Sequence, residues 1–206
     1  TKRAIIPEAC LWEPESPFLY QGLIELWQDD QRSDRLTLSH GLRSIHLDER
    51  GLRVNGRRLT LRGQSVTACS EEDALALRQA GCNLLIAPVE ESTLSLWEQA
   101  DRLGFLMVGR VPEDGQPARR HLETLSRHAS CLGWLVEEGE HPPFPLLPRT
   151  GLVGLVCESS PRDSSLSRAH FVFGPAELAN LGKPLLVKGE GSVEPPEAAR
   201  ILGSVG

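Results

Sequence analysis

Two periodicities divide the chain. Up to about residue 58 the apolar positions recur at strand spacing. Residues 19–27 are apolar and β-prone, residues 35–43 set Leu36, Leu38 and Leu42 among polar neighbours, and residues 52–59 contain Asn55-Gly56, a two-residue hairpin signal. From residue 59 the pattern changes to short apolar runs separated by helical spacing. Strands are predicted at 59–66, 84–87, 105–108, 131–136, 152–157, 170–173 and 185–187, and helices at 70–80, 91–103, 117–126 and 195–202. Ser70-Glu71-Glu72-Asp73 opens the first helix as a capping box does, and Gly81 closes it. Leu94, Trp97 and Ala100 share one face of the second, which stops at Gly104.

Alternating βα units with short buried strands predict a parallel sheet, and seven strands in a row favour a barrel. The length is short for that fold. An eightfold barrel takes roughly 200 residues or more, whereas residues 59–206 number 148. The crossovers at 158–169 and 174–182 leave room for a turn or two of helix. The expected architecture is therefore α/β: a shortened or incomplete (βα) TIM-type barrel over residues 59–206, preceded by a partial immunoglobulin-like β module over residues 1–58. Three or four strands do not close a sandwich, which takes about seven, so the module is expected to lean on something else. Unpaired barrel edges would call for an oligomer or a missing segment to cover them.

The run Ser130-Cys131-Leu132-Gly133-Trp134-Leu135-Val136 ends abruptly in Glu137, Glu138 and Glu140. It reads as a buried strand that delivers carboxylates to the C-terminal mouth, where α/β barrels do their chemistry.

Composition narrows the field. The chain has 206 residues, 40% hydrophobic and 24% charged, with a formal net charge of −6, which argues against a nucleic-acid footprint or a polybasic membrane patch. The basic residues between 53 and 62 read as the solvated face of a hairpin. Cys10, Cys69, Cys82, Cys131 and Cys157 form no CxxC pair, and His40, His46, His121, His128, His141 and His170 show no ligand spacing, so neither metal nor cofactor is expected. The odd cysteine count, with no signal peptide or apolar run of about 18 residues, fits a soluble, cytoplasmic protein of bacterial type. A chain that starts at Thr1 is expected to be a piece of a longer one.

Several motifs in order resemble glycoside hydrolase family 2, which includes β-galactosidases, β-glucuronidases and β-mannosidases. Leu11-Trp12-Glu13-Pro14-Glu15-Ser16-Pro17-Phe18-Leu19-Tyr20 is similar to the LW-x-P-x-x-P-x-LY segment of that family's immunoglobulin-like domain. Gly41-Leu42-Arg43, followed by Val54-Asn55-Gly56-Arg57-Arg58-Leu59-Thr60-Leu61-Arg62-Gly63, resembles its passage into the first barrel strand. The resemblance is clear over residues 10–110. It implies a retaining glycosidase barrel in which two Glu carboxylates about 5 Å apart serve as acid/base and nucleophile.

In register, this chain lacks both. The family's HPSI-hydrophobic-x-W-x-x-x-NE strand, matched to residues 128–139, puts Glu138 on the Asn and Gly139 on the acid/base. Its nucleophile stretch, matched to Lys183-Pro184-Leu185-Leu186-Val187-Lys188-Gly189-Glu190-Gly191, puts Gly189 on the nucleophile. Ile86 stands at a position where the family has a site Arg, and Ser65 and Gly109 replace other polar neighbours. A one-residue slip turns a strand side chain to the opposite face, so Glu138 or Glu140 together with Glu190 would each need a bulge to serve. What survives is structural: the Asn55-Gly56 turn, Gly63, Gly81, Gly104, Trp134 and Lys183-Pro184. The resemblance thus implies a pseudoenzyme without catalytic residues, acting as a carbohydrate- or protein-binding scaffold unit. The alternative is a working β-glycosidase with Glu138 or Glu140 as acid/base and Glu190 as nucleophile. Among Trp12, Trp27, Trp97 and Trp134, Trp134 is the candidate for stacking on a sugar, with barrel filling as its other reading.

Overall fold

The computed structural model describes residues 5–48, 51–112, 119–137, 144–189 and 201–206. Strands β1 (Tyr20–Gln28) and β2 (Gln31–His40) form an antiparallel hairpin, and β3 (Ile45–Asp48), β4 (Gly51–Val54) and β5 (Arg57–Arg58) a three-stranded sheet. Eight parallel strands follow: β6 (Leu61–Ser65), β7 (Leu84–Pro88), β8 (Leu106–Val111), β9 (Cys131–Glu137), β10 (Leu152–Val156), β11 (Phe171–Gly174), β12 (Leu185–Lys188) and β13 (Ile201–Val205). They close into a barrel, with helices α1 (Glu71–Gln79), α2 (Leu94–Leu103), α3 (Arg119–Leu125) and α4 (Asp163–Arg168) in the crossovers. This is a shortened TIM-type barrel with a partial immunoglobulin-like module.

Closure corrects the expectation of an incomplete barrel with open edges. The seven predicted strands are present, and β13 is the eighth. It falls partly on residues read from sequence as a helix at 195–202, of which 195–200 lie outside the described residues. β13 pairs with β12 on one side and β6 on the other, and β9 pairs with β10. Among the described residues, each barrel strand is paired on both sides. The saving in length comes from the later crossovers, where α4 has six residues and a single 3-10 segment, Ala176–Asn180, links β11 to β12.

Local chemistry explains the element ends. Ser70 Oγ accepts from Asp73 N–H at 3.1 Å and caps α1, while Gly81 follows the helix at φ +87°. Gly104 ends α2 at φ +79°, and a Cβ there would lie 2.1 Å from Pro14 O. Asn55 and Gly56, both at positive φ, turn β4 into β5.

The barrel interior is filled by Leu84, Ile86, Leu106, Val108, Leu135 and Phe173 among others, and Phe171 lies over Gly154, where a Cβ would come within 2.4 Å of its ring. Trp12, Leu52, Val54 and Leu61 continue this cluster at the N-terminal end. Trp12 Nε1 donates to Asp101 O at 2.8 Å, and its own carbonyl accepts from Asn55 Nδ2 at 3.0 Å. Arg43 donates to the carbonyls of His128, Ala129 and Cys131, and burial holds its guanidinium below the usual range. So β3–β5 lean on the barrel. The β1–β2 hairpin does not: Ile24, Leu26, Leu36 and Leu38 are all exposed, Leu26 at 62%, and the cross-strand register puts them on one face.

His170, just before β11, accepts at Nδ1 from Val153 N–H at 2.9 Å. Partial burial, and next the Lys183 ammonium, hold the imidazole below its usual range. The unfolded chain therefore takes up the proton first as pH falls through about 6.5, so stability present above that pH declines below it. We expect the urea midpoint to drop between about pH 7.5 and about pH 5.5, and His170→Gln to shrink that drop. An undiminished drop in the variant would assign it to other groups.

Candidate active site

The C-terminal mouth of the barrel is built by alternation. Side chains facing the interior recur every second residue, so the inward series extends from Leu106 and Val108 to Arg110, from Leu135 to Glu137, from Val156 to Glu158 and from Leu186 to Lys188. These four form two ion pairs. Arg110 Nε and Nη2 donate to Glu137 Oε1 at 2.8 and 2.6 Å, and Lys188 Nζ donates to Glu158 Oε1 at 2.6 Å. Ile86, 4% exposed, lies one layer below Pro88 on β7, so the floor under the mouth is apolar there. Each described carboxylate of this set is held by a cation. Such an arrangement suits binding of polar groups better than proton transfer, which needs a carboxyl group free to exchange its proton.

Several expectations change here. Gly109 does not face the mouth. It points to the helix side, where a Cβ would meet Val89 at 2.7 Å and the Trp134 ring at 2.8 Å, so its smallness makes room for Trp134. Trp134 itself lies between barrel and helices, 0% exposed. Its ring stacks on Trp97 at 5.8 Å, and its Nε1 donates to Thr150 O at 3.4 Å. It offers no face to a sugar, and it packs under the helices instead of filling the barrel interior. Parity requires this: Trp134 is one residue from Leu135, which points inward. Ser65 is exposed at the end of β6, where its N–H donates to Gly206 O at 3.1 Å. Glu138, Glu140 and Glu190 lie outside the described residues, as does Gly139, while Gly189 follows β12 at φ +136°.

The ion pairs were missed because each joins residues far apart in sequence. Counting by twos from the apolar strand cores would have found all four charges. His128, matched to the family's HPSI segment, is at the opposite end of the barrel: its Nδ1 lies 2.8 Å from Asp101 Oδ2, while Asp101 Oδ1 accepts from Ser130 N–H at 2.6 Å. Among the described residues no three His, Cys, Asp or Glu side chains gather to hold a metal ion, and no helix is long and apolar enough to cross a membrane.

The fold is that of a TIM-type barrel preceded by a partial immunoglobulin-like module. No family model matches the sequence. The β-galactosidase BoGH2A of Bacteroides ovatus is 25% identical over 121 residues, covering 52% of this chain and 14% of that protein. A β-glucuronidase of Paenibacillus borealis is 25% identical over 162 residues, 67% of this chain and 27% of that protein. A solved glycosyl hydrolase family 2 member from Bacteroides cellulosilyticus superposes with a TM-score of 0.76 at 20% identity, over 95% of this chain and 34% of its own. The chain is similar to these members of glycoside hydrolase family 2 and spans about a third or less of the length of each.

Proposed function

We propose that the chain is a non-catalytic family 2-like barrel that serves as a carbohydrate- or protein-binding scaffold unit. The observation that carries this is the occupation of the mouth by Arg110–Glu137 and Lys188–Glu158. A retaining mechanism needs two carboxyl groups about 5 Å apart across the scissile bond, one of them protonated. Glycine at 139 and 189, where the family resemblance expects the two Glu residues, supports the same reading. The cysteine usage supports a reducing, cytoplasmic setting. The second reading, a β-glycosidase using Glu138 or Glu140 with Glu190, is favoured by the hydrolase relatives.

The two are separated by a panel of nitrophenyl β-glycosides, including galactoside and glucuronide, assayed with the native chain and with Glu190→Gln. We expect no release above the buffer rate from either. Turnover by the native chain that drops by about a hundredfold or more in the variant, as removal of a nucleophile requires, would sink the pseudoenzyme reading.

A further inference from the structure

A cavity of about 700 Å³ opens at the N-terminal end of the barrel, opposite the mouth. It lies between β2, residues 41–45, the turn before β9 and the start of β10. Its size suits a small organic ligand. Its lining carries no carboxylate: the titratable side chains are the basic His40, Arg43, Arg127 and His128 and the thiol of Cys131, which burial pushes up to about 12, although the chain as a whole is acidic. Much of the remaining wall is apolar, supplied by Leu38, Leu42, Ile45, Leu132 and Leu152.

Arg43 is the central group. Its Nε and Nη2 are spent on three backbone carbonyls, and Nη1 has no hydrogen-bond partner among the described residues. Among those residues, no carboxylate stands in ion-pair contact with Arg43 or with Arg127. The Asp101 carboxylate acts on Arg43 through space, but its oxygens are committed to His128 Nδ1 and Ser130 N–H. Carbonyl dipoles solvate a buried guanidinium without neutralising it, so an anion brought to its remaining N–H groups gains a charge-assisted hydrogen bond.

We infer that this cavity binds an amphiphilic organic anion, a single carboxylate on a short apolar body. The carboxylate sits at Arg43 and Arg127, and the body lies against Leu38, Leu132 and Leu152. This site is independent of the mouth and of any activity there.

Isothermal titration calorimetry of the whole chain with decanoate, 1-decanol and acetate, below micelle-forming concentrations, tests it. Decanoate binds saturably at one per chain, and decanol and acetate each bind at least about tenfold more weakly, one for want of charge and the other for want of apolar area. Arg127 and Leu38 are exposed, so their variants keep the fold. Arg127→Gln weakens decanoate by about fivefold or more, and Leu38→Glu, which sets a like charge in the wall, weakens it further. Leu36→Gln, on the same hairpin but outside the cavity, leaves it unchanged. The inference is overturned by an absence of saturable decanoate binding, by decanol binding as tightly as decanoate, or by an affinity that follows Leu36→Gln instead of Arg127→Gln.

Discussion

Gly203→Ala is expected to destabilise the chain by about 3 kcal/mol or more, by prising the last barrel strand from the first. A Cβ at position 203 would lie 1.7 Å from Leu61 O and 2.8 Å from Leu61 Cα, and the backbone there has φ +154°. The collision is with main chain, so no rotamer change relieves it. β13 pairs with β12 at Leu186↔Gly203 and with β6 at Gly203↔Leu61, which makes this one residue the meeting point of three strands. Gly56→Ala is the control: its φ is +80° but nothing lies within 4 Å, so it carries only the left-handed backbone penalty of roughly 1 kcal/mol. Urea unfolding followed by tryptophan fluorescence compares the two, and equal losses would mean that closure does not depend on the tight approach at Gly203.

Trp12→Ala should cost about 4 kcal/mol, the range for deleting a fully buried indole. Trp12 is 0% exposed and packs with Leu52, Val54 and Leu61, where the β3–β5 sheet meets the barrel floor. Its indole N–H also holds Asp101 O, in the helix that precedes β8. Trp12→Phe keeps most of the apolar area and loses that hydrogen bond, so about 1–2 kcal/mol is expected. Hydrogen exchange should show the amides of β3 and β4 losing protection in Trp12→Ala before those of β8 and β9. Simultaneous loss across all four strands would make the module and barrel a single cooperative unit instead.

Much of the fold was legible because it rests on local physics. The Ser70 cap, the Asn55-Gly56 turn and the stop at Gly104 each need only a few neighbouring residues to act. Seven barrel strands were visible as apolar runs, because strands buried on both faces need continuous apolar sequence. The eighth was not visible, since Ile201–Val205 is interrupted by Gly203 and Ser204 and follows a helix-like stretch. Its strand character comes from partners far off in sequence, Gly203 pairing with Leu186 on one side and with Leu61 on the other.

The site was legible in what it lacks and illegible in what it holds. The glycines at 139 and 189 can be read by aligning motifs. Arg110–Glu137 and Lys188–Glu158 could not be read that way, because the partners lie 27 and 30 residues apart, the first pair joining neighbouring strands and the second reaching from the end of β12 past β11 to the residues after β10. Trp134 shows the same division. Its burial followed from an apolar strand, whereas its direction depends on which neighbour faces the axis, and the β8–β9 pairing shifts register between Met107 and Val108.

The sequence by itself determined most of the elements, their order and their caps, and the glycines at 139 and 189, because these depend on side-chain shape, backbone preference and residue identity at single positions. Tertiary structure alone decided that residues 59–206 close a full barrel, that two cation–carboxylate pairs stand at the mouth, and that a basic cavity opens beneath it. Those outcomes rest on non-local pairing, in which the free energy of each contact exists only once distant strands have met.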